Sequence, residues 1–271
     1  MTSSEFVGAR RALLDVLQAL QLHIDALILV GAQAVYLHTG DGTLAVSPTT
    51  TDADLAIDAT LLSNDPNLVR ALVEAGFELK TPPGTWRAPN GVLADLMVPE
   101  AQMAGRGGRR GARLGPHGND VARKTAGLEP AIIDNILVDI RSLEPDVDPR
   151  VFTVKVAGPA ALLVAKLTKI RERTATPERM QAKDGLDVFR ILQTVETETL
   201  AASLTMLSTN ELAGEITQAA VDFLRSDRTE PGGVLVRLVV EAVGILVDPR
   251  IITDSYTALA DDLLDGLETL D

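Results

Sequence analysis

The sequence predicts an α+β protein. A sheet with flanking helices occupies residues 1–157, and a C-terminal helical domain occupies 158–271. Three observations lead there. Before Gly158 the strongest apolar segments are short runs (ALILV, ADLAI, VLADLMV) bounded by Gly, Pro, Asn or Asp, as strands between turns are. Two longer segments with helical spacing, 5–23 and 67–75, interrupt those runs. After Gly158 apolar residues recur every three or four positions almost to the end of the chain.

The elements follow in order. Phe6, Ala9, Leu13, Val16, Leu17 and Leu20 make one stripe of a helix over 5–23. Ala26–Val30 is a buried strand that stops at Gly31, and Ala32–Leu37 begins a helix directly after that glycine. Residues 39–51 (TGDGTLAVSPTTT) are turn-rich and read as a loop. Ala53–Ile57 is the next strand. Asn64 or Asp65 is the expected cap of a helix Asn67–Ala75 that Gly76 closes. Strands are expected at Phe77–Lys80, Trp86–Ala88 and Val92–Val98, the last two joined by a hairpin at Pro89-Asn90-Gly91. A Gly/Arg loop covers 104–118, and 131–141 and 150–156 read as strand. Helices are expected over 159–173, 179–195, 197–206, 209–225, 233–246 and 253–269.

Composition narrows the function classes. The 271 residues include no cysteine, which removes disulfides, thiol catalysis, iron–sulfur clusters and cysteine-based zinc sites. The longest uncharged run, Ala26 to Gly40, is 15 residues and too short to span a bilayer. The N-terminus is amphipathic and charged, unlike a signal peptide, so a cytoplasmic protein without membrane contact is expected. The net charge of −13 argues against bulk DNA binding. Residues 101–130, however, hold six basic residues (Arg106, Arg109, Arg110, Arg113, Arg123, Lys124) against Asp120 and Glu129. Such a loop is either a flexible solvated segment or a clamp on an RNA end or a triphosphate. The three histidines show no metal-ligand spacing. Trp86 beside Arg87 could stack on a base, although a packed tryptophan in a small sheet is the simpler reading.

The informative stretch is TTDADLAID. On a strand, residues two apart share a face, so Asp52 and Asp54 project together while Ala53, Leu55 and Ile57 face the other way. Two carboxylates this close stay ionised at neutral pH only with a cation between them. An oxygen-liganded Mg²⁺ or Mn²⁺ suits that position, whereas a surface strand flanked by two acids is the bland alternative. Asp95 is a lone acid in the apolar run Val92–Val98, either on the exposed face of an edge strand or paired with a cation. The start of a helix at Gly31 and Ala32 offers backbone N–H groups to a phosphate.

In this order, Val30-Gly31-Ala32, then Asp52-Ala53-Asp54, then Asp95, residues 26–98 resemble the minimal nucleotidyltransferase fold of the DNA polymerase beta superfamily, with its mixed sheet and flanking helices. Farther on, VFTVKVAGPAALLVAKLTKIRER followed by RMQAKDGLDVFRIL resembles the AbiEii-type nucleotidyltransferases, toxins of type IV-like toxin–antitoxin systems that include the MenT-like toxins. The matching residues there are Lys166, Arg171 or Arg173, and Lys183-Asp184-x-x-Asp187. Two departures stand out. Ala32 replaces the usual second Gly or Ser, and no Arg precedes Asp52, where Thr50 and Thr51 are the available hydroxyl donors. Both bear on nucleotide affinity more than on the metal site.

The resemblance implies transfer of NMP from an NTP to an acceptor hydroxyl. Asp52, Asp54 and Asp95 would bind Mg²⁺ or Mn²⁺, and Asp95 would also accept the hydroxyl proton. Lys166 would neutralise the triphosphate, and Asp187 would sit near the nucleotide and help fix Lys166 or the sugar. Gly31, Ala32, Thr50 and Thr51 would contact the nucleotide. It further implies an RNA acceptor such as the tRNA 3′ end, and a cognate antitoxin protein. Without the resemblance, Lys166 is a solvated lysine beside an apolar stripe, and Lys183 with Asp187 is an i,i+4 surface pair. Two other functions compete: transfer to a small molecule or a protein, and a catalytically silent binding module.

Overall fold

The computed structural model describes residues 3–40, 50–103, 110–230, 232–243 and 246–270. Helix α1 (Ser4–Ala19) starts at Ser3, whose hydroxyl accepts the Phe6 N–H at 3.2 Å. It is shorter than its periodicity suggests, because the chain tightens into a 3₁₀ turn over Gln21–Ala26. Strand β1 (Leu27–Val30) is buried throughout and runs straight into α2 (Gly31–Thr39). Residues 41–49 of the expected loop lie outside the described residues. Strand β2 (Asp52–Ile57) begins one residue before the apolar run. Helix α3 (Leu68–Glu74) is capped by Asn67, whose Oδ1 accepts the Arg70 N–H at 2.9 Å; the expected caps, Asn64 and Asp65, stand too far upstream to reach the first turn.

Strands β3 (Glu78–Leu79), β4 (Thr85–Arg87) and β5 (Leu93–Pro99) form an antiparallel meander, and Gly91 (φ 84°) turns the β4–β5 hairpin. A short strand not foreseen from sequence, β6 (Arg123–Thr125), pairs in parallel with Met97–Pro99 and continues the edge that β4 leaves. Its three residues are all polar, so no apolar period marked it. Gly84 makes this junction possible. A Cβ there would stand 2.3 Å from the Leu96 carbonyl and 2.6 Å from the Arg123 nitrogen. Helix α4 (Glu129–Ile133) takes the start of the segment expected to be strand, and β7 (Asn135–Arg141) takes the rest. Strand β8 (Val151–Ala157) closes the sheet, whose order is β3-β4-β5-β2-β1-β8-β7. It is mixed: β1–β8 and β2–β5 are parallel, while β1–β2 and β7–β8 are antiparallel.

The rest of the described chain is helical: α5 (Pro159–Arg173), α6 (Ala182–Thr194), α7 (Thr197–Ser208), α8 (Gly214–Thr229), α9 (Val234–Val243) and α10 (Pro249–Leu270). The architecture is therefore α+β, with a mixed sheet, flanking helices and a C-terminal helical region. The hydrophobic core continues across residue 157, since α2 packs on both α5 and α6. Helix α6 is the centre of the helical part and buries Val188, Phe189 and Ile191 almost completely. Trp86 is fully buried and its Nε1 donates to the Val121 carbonyl at 2.9 Å, so it packs in the sheet. His23 and His117 are also buried, against the backbone of the loop before α3 (Pro66 and Ser63 carbonyls). No helix among the described residues is long and apolar enough to cross a membrane.

Candidate active site

The site is built on the two central parallel strands. Register pairs Asp54 of β2 with Asp95 of β5, and Asp52 lies two residues before Asp54. Neighbours in register point to the same side of a sheet, as do residues i and i+2, so all three carboxylates occupy one face. Adjacent strands lie about 4.8 Å apart, which puts Asp54 beside Asp95. Ala53 and Leu55 point oppositely and are buried.

Gly31 forms the rim. Its φ of 70° favours glycine, and a Cβ there would fall 2.1 Å from Asp54 Oδ2. The turn between β1 and α2 therefore lies directly against the Asp54 carboxylate. Ala32 is buried in the first turn of α2. The next residue, Gln33, was not singled out in the sequence, yet it ties the site together. Its Nε2 donates to the Asp52 carbonyl at 3.2 Å, and its Oε1 accepts from Arg10 Nε at 2.9 Å. Arg10 in turn donates to the Arg141 carbonyl at 2.9 Å, joining α1, α2, β2 and β7.

The three acids differ in their partners. Thr50 is buried and its Oγ1 donates to Asp52 Oδ1 at 2.9 Å, whereas Thr51 is exposed. Asp95 accepts from Thr85 Oγ1 at 2.8 Å through Oδ1 and pairs with Arg123 Nη2 at 2.8 Å through Oδ2. Asp54 is half-buried between them. Burial, then Asp52, then Asp95 push its carboxyl up to about 7, while Lys169 and Lys166 pull the other way.

The two lysines come from α5. Lys166 Nζ lies 3.1 Å from Asp184 Oδ1 and 2.6 Å from Asp187 Oδ2 of α6. Burial alone would lower this ammonium, but Asp187 and Asp184 more than reverse it and hold it charged. Lys169 Nζ reaches the same Asp184 oxygen at 2.9 Å, and Arg173 Nη1 stands 3.4 Å from Asp184 Oδ2. Asp184 is itself buried, which would raise its carboxyl, yet Lys166 and Lys169 bring it down to about 2. Asp187 thus faces inward to Lys166 and not outward to Lys183. Of the two arginines that sequence offered, Arg173 and not Arg171 joins the cluster. Asp184 stood in the motif without a role, and Lys169 and Arg123 had no signal beyond their charge. In the basic loop, Arg106 and Arg109 lie outside the described residues, and Arg110 and Arg113 are exposed.

The donor set has the chemistry of a Mg²⁺ or Mn²⁺ site. It is all oxygen, it is anionic, and Asp54 is driven up toward neutrality by burial and by its two neighbours, whose repulsion a cation would relieve. It is not closed around an ion as it stands. Asp95 spends both oxygens on Thr85 and Arg123, and among the described residues no three His, Asp or Glu side chains are arranged to hold a metal.

A scan against protein-family models finds no match, and a search of curated proteins finds none. Among solved structures the chain is similar to one from H. pylori described as a "putative nucleotidyltransferase". The two share 12% identity, the alignment covers 99% of each chain, and the TM-score is 0.48.

Proposed function

We propose that this protein is a divalent-metal-dependent nucleotidyltransferase that moves NMP from an NTP to an acceptor hydroxyl. The observation that carries this reading is the convergence of Asp52, Asp54 and Asp95 on one face beside the Gly31 turn, with Asp54 raised to about 7 by burial and by the other two acids. Structural carboxylates are normally paired with cations; here Asp54 is left with two like charges as its nearest electrostatic neighbours.

Asp52 and Asp54 would hold the ion, with Asp95 as third ligand once its pair with Arg123 opens. The bound ion supplies Lewis-acid charge at the α-phosphate and makes the attacking hydroxyl a better nucleophile. Thr50 and Gln33 hold Asp52 in orientation by their hydrogen bonds. The N–H groups that open α2 would hold the phosphates, and the missing Cβ of Gly31 lets this turn lie against the Asp54 carboxylate. Asp95, once freed from Arg123, would take the hydroxyl proton and release it to solvent.

The sequence resemblance to AbiEii and MenT-like toxins favours RNA, such as a tRNA 3′ end, as acceptor, and an antitoxin as partner. The test is incubation with each labelled NTP, Mg²⁺ and total RNA, with Asp52→Ala alongside. Label in RNA that the substitution abolishes is the expected result. Label on protein or on a small molecule moves the acceptor to that class. If calorimetry detects no NTP binding to the wild-type chain, the transferase reading fails and a silent binding module remains.

A further inference from the structure

Three cations of α5, Lys166, Lys169 and Arg173, stand at i, i+3 and i+7 and share one helix face. That face carries the ion pairs to Asp184 and Asp187, and α5 packs on α2, whose first residue, Gly31, lies against the Asp54 carboxylate. The three are not equivalent. The Lys166 side chain is 8% exposed, and its ammonium is engaged by both aspartates. Arg173 sits one turn farther along and donates to the Arg179 carbonyl at 3.0 Å. Lys169 is 37% exposed and shares a single aspartate oxygen with Lys166. It is also the cation that bears most strongly on Asp54.

An incoming polyphosphate must bring three or four negative charges over the three acids. It needs a cation that reaches solvent and has donors to spare. Lys166 offers neither: moving it toward a phosphate would take from the buried Asp187 the cation it is paired with among the described residues, whereas Asp184 would keep Lys169 and Arg173. Lys169 can turn toward the ligand while Asp184 keeps Lys166 and Arg173.

We propose that Lys169, and not Lys166, meets the β- and γ-phosphates of the triphosphate, and that Lys166 is a positioning residue that fixes Asp184 and Asp187 behind it. This rests on the nucleotidyltransferase reading above, which would have the pyrophosphate leave toward α5. A fixed ammonium there stabilises the charge that grows on the leaving group.

The experiment is calorimetric titration of the full chain with NTP and with the matching NMP, both in Mg²⁺, for wild type, Lys169→Ala, Lys169→Arg and the exposed control Arg250→Ala. The expected result is at least a tenfold loss of triphosphate affinity in Lys169→Ala with monophosphate affinity unchanged, substantial recovery in Lys169→Arg, and no change in Arg250→Ala. Thermal melts verify folding, and Lys169→Gln, neutral and only one atom shorter, replaces the alanine variant if that one does not fold. Equal triphosphate affinity in wild type and Lys169→Ala overturns the inference while leaving the transferase reading standing. Equal loss for NTP and NMP also overturns it, because a merely structural lysine would act on both alike. A wild-type chain that binds no NTP overturns both.

Discussion

Two clusters of charge lie side by side in this molecule, and they obey opposite rules. In the α5–α6 cluster, Lys166, Lys169 and Arg173 face Asp184 and Asp187, and each buried carboxylate has a cation within 3.1 Å. On the sheet face, Asp52 and Asp54 have no cation at that range among the described ion pairs, and Asp95 has Arg123 alone. In the first cluster every carboxylate is paired with a cation, although the buried Asp187 Oδ1 accepts no hydrogen bond among the described residues, and these pairs act as a strut between two helices. The second carries a surplus of negative charge, and burial together with that surplus lifts one of its carboxyls to about 7. Burying like charges together costs free energy, and such clusters are concentrated at functional sites.

The contrast can be broken in four ways, taken from the largest effect to the smallest. Asp54→Ala should lower nucleotide transfer on the order of 10³-fold or more while leaving a folded protein. Incorporated label and a melting curve report both; loss of folding instead would make the acid face structural. Asp184→Ala should do the reverse and cost about 3–5 kcal/mol of stability, because three cations lose their common partner. Urea unfolding measures it, and a loss below about 1 kcal/mol would deny the strut.

The third test uses pH. Folding raises the Asp54 carboxyl from 3.8 to about 7, so the folded chain holds this proton longer than the unfolded chain does. Stability therefore falls as pH rises through that window, and the deficit is complete above it. Asp54→Asn removes the deficit. In metal-free buffer at pH 8 it should be more stable than wild type by on the order of 2 kcal/mol, allowing for partial exposure, with the difference vanishing near pH 4. Added Mg²⁺ should shrink the gap at pH 8 by stabilising wild type alone. The smallest effect belongs to a pair in neither cluster. Arg225 and Asp222 are an exposed i,i+3 pair at 3.1 Å, and Arg225→Ala should change stability by less than about 0.5 kcal/mol.

How the site was legible differs residue by residue. Asp52 and Asp54 were readable because a strand has a period of two, and the alternation with Ala53 and Leu55 assigned their face without any knowledge of the fold. Gly31 was readable because an apolar run stopped there and a helix began. For Asp187 the helix spacing alone offered a surface pair with Lys183, and only the family resemblance pointed to Lys166, which it does meet. Spacing on a helix says which residues are neighbours, but not whether the face is covered, and α6 is covered nearly all round. Gln33 and Lys169 were invisible for a different reason. A glutamine after a turn and a third cation on a helix are ordinary until their partners, Asp52 on β2 and Asp184 on α6, are seen beside them. Arg123 lies on a strand of three polar residues that owes its pairing to the edge left open by β4.

The sequence by itself determined the local elements and their faces: the sheet-rich first half, the helical second half, and the side of β2 on which two carboxylates stand. These follow from periodicity, turn residues and caps, which act over a few positions of chain. Only the tertiary structure decided that Asp95 stands in register with Asp54, that Arg123 claims Asp95, and that Lys166 is locked in a buried ion pair while Lys169 reaches solvent. Those facts depend on strand order and on which helix covers which face. They are set by the burial of the whole apolar core, to which residues far apart in the chain contribute together.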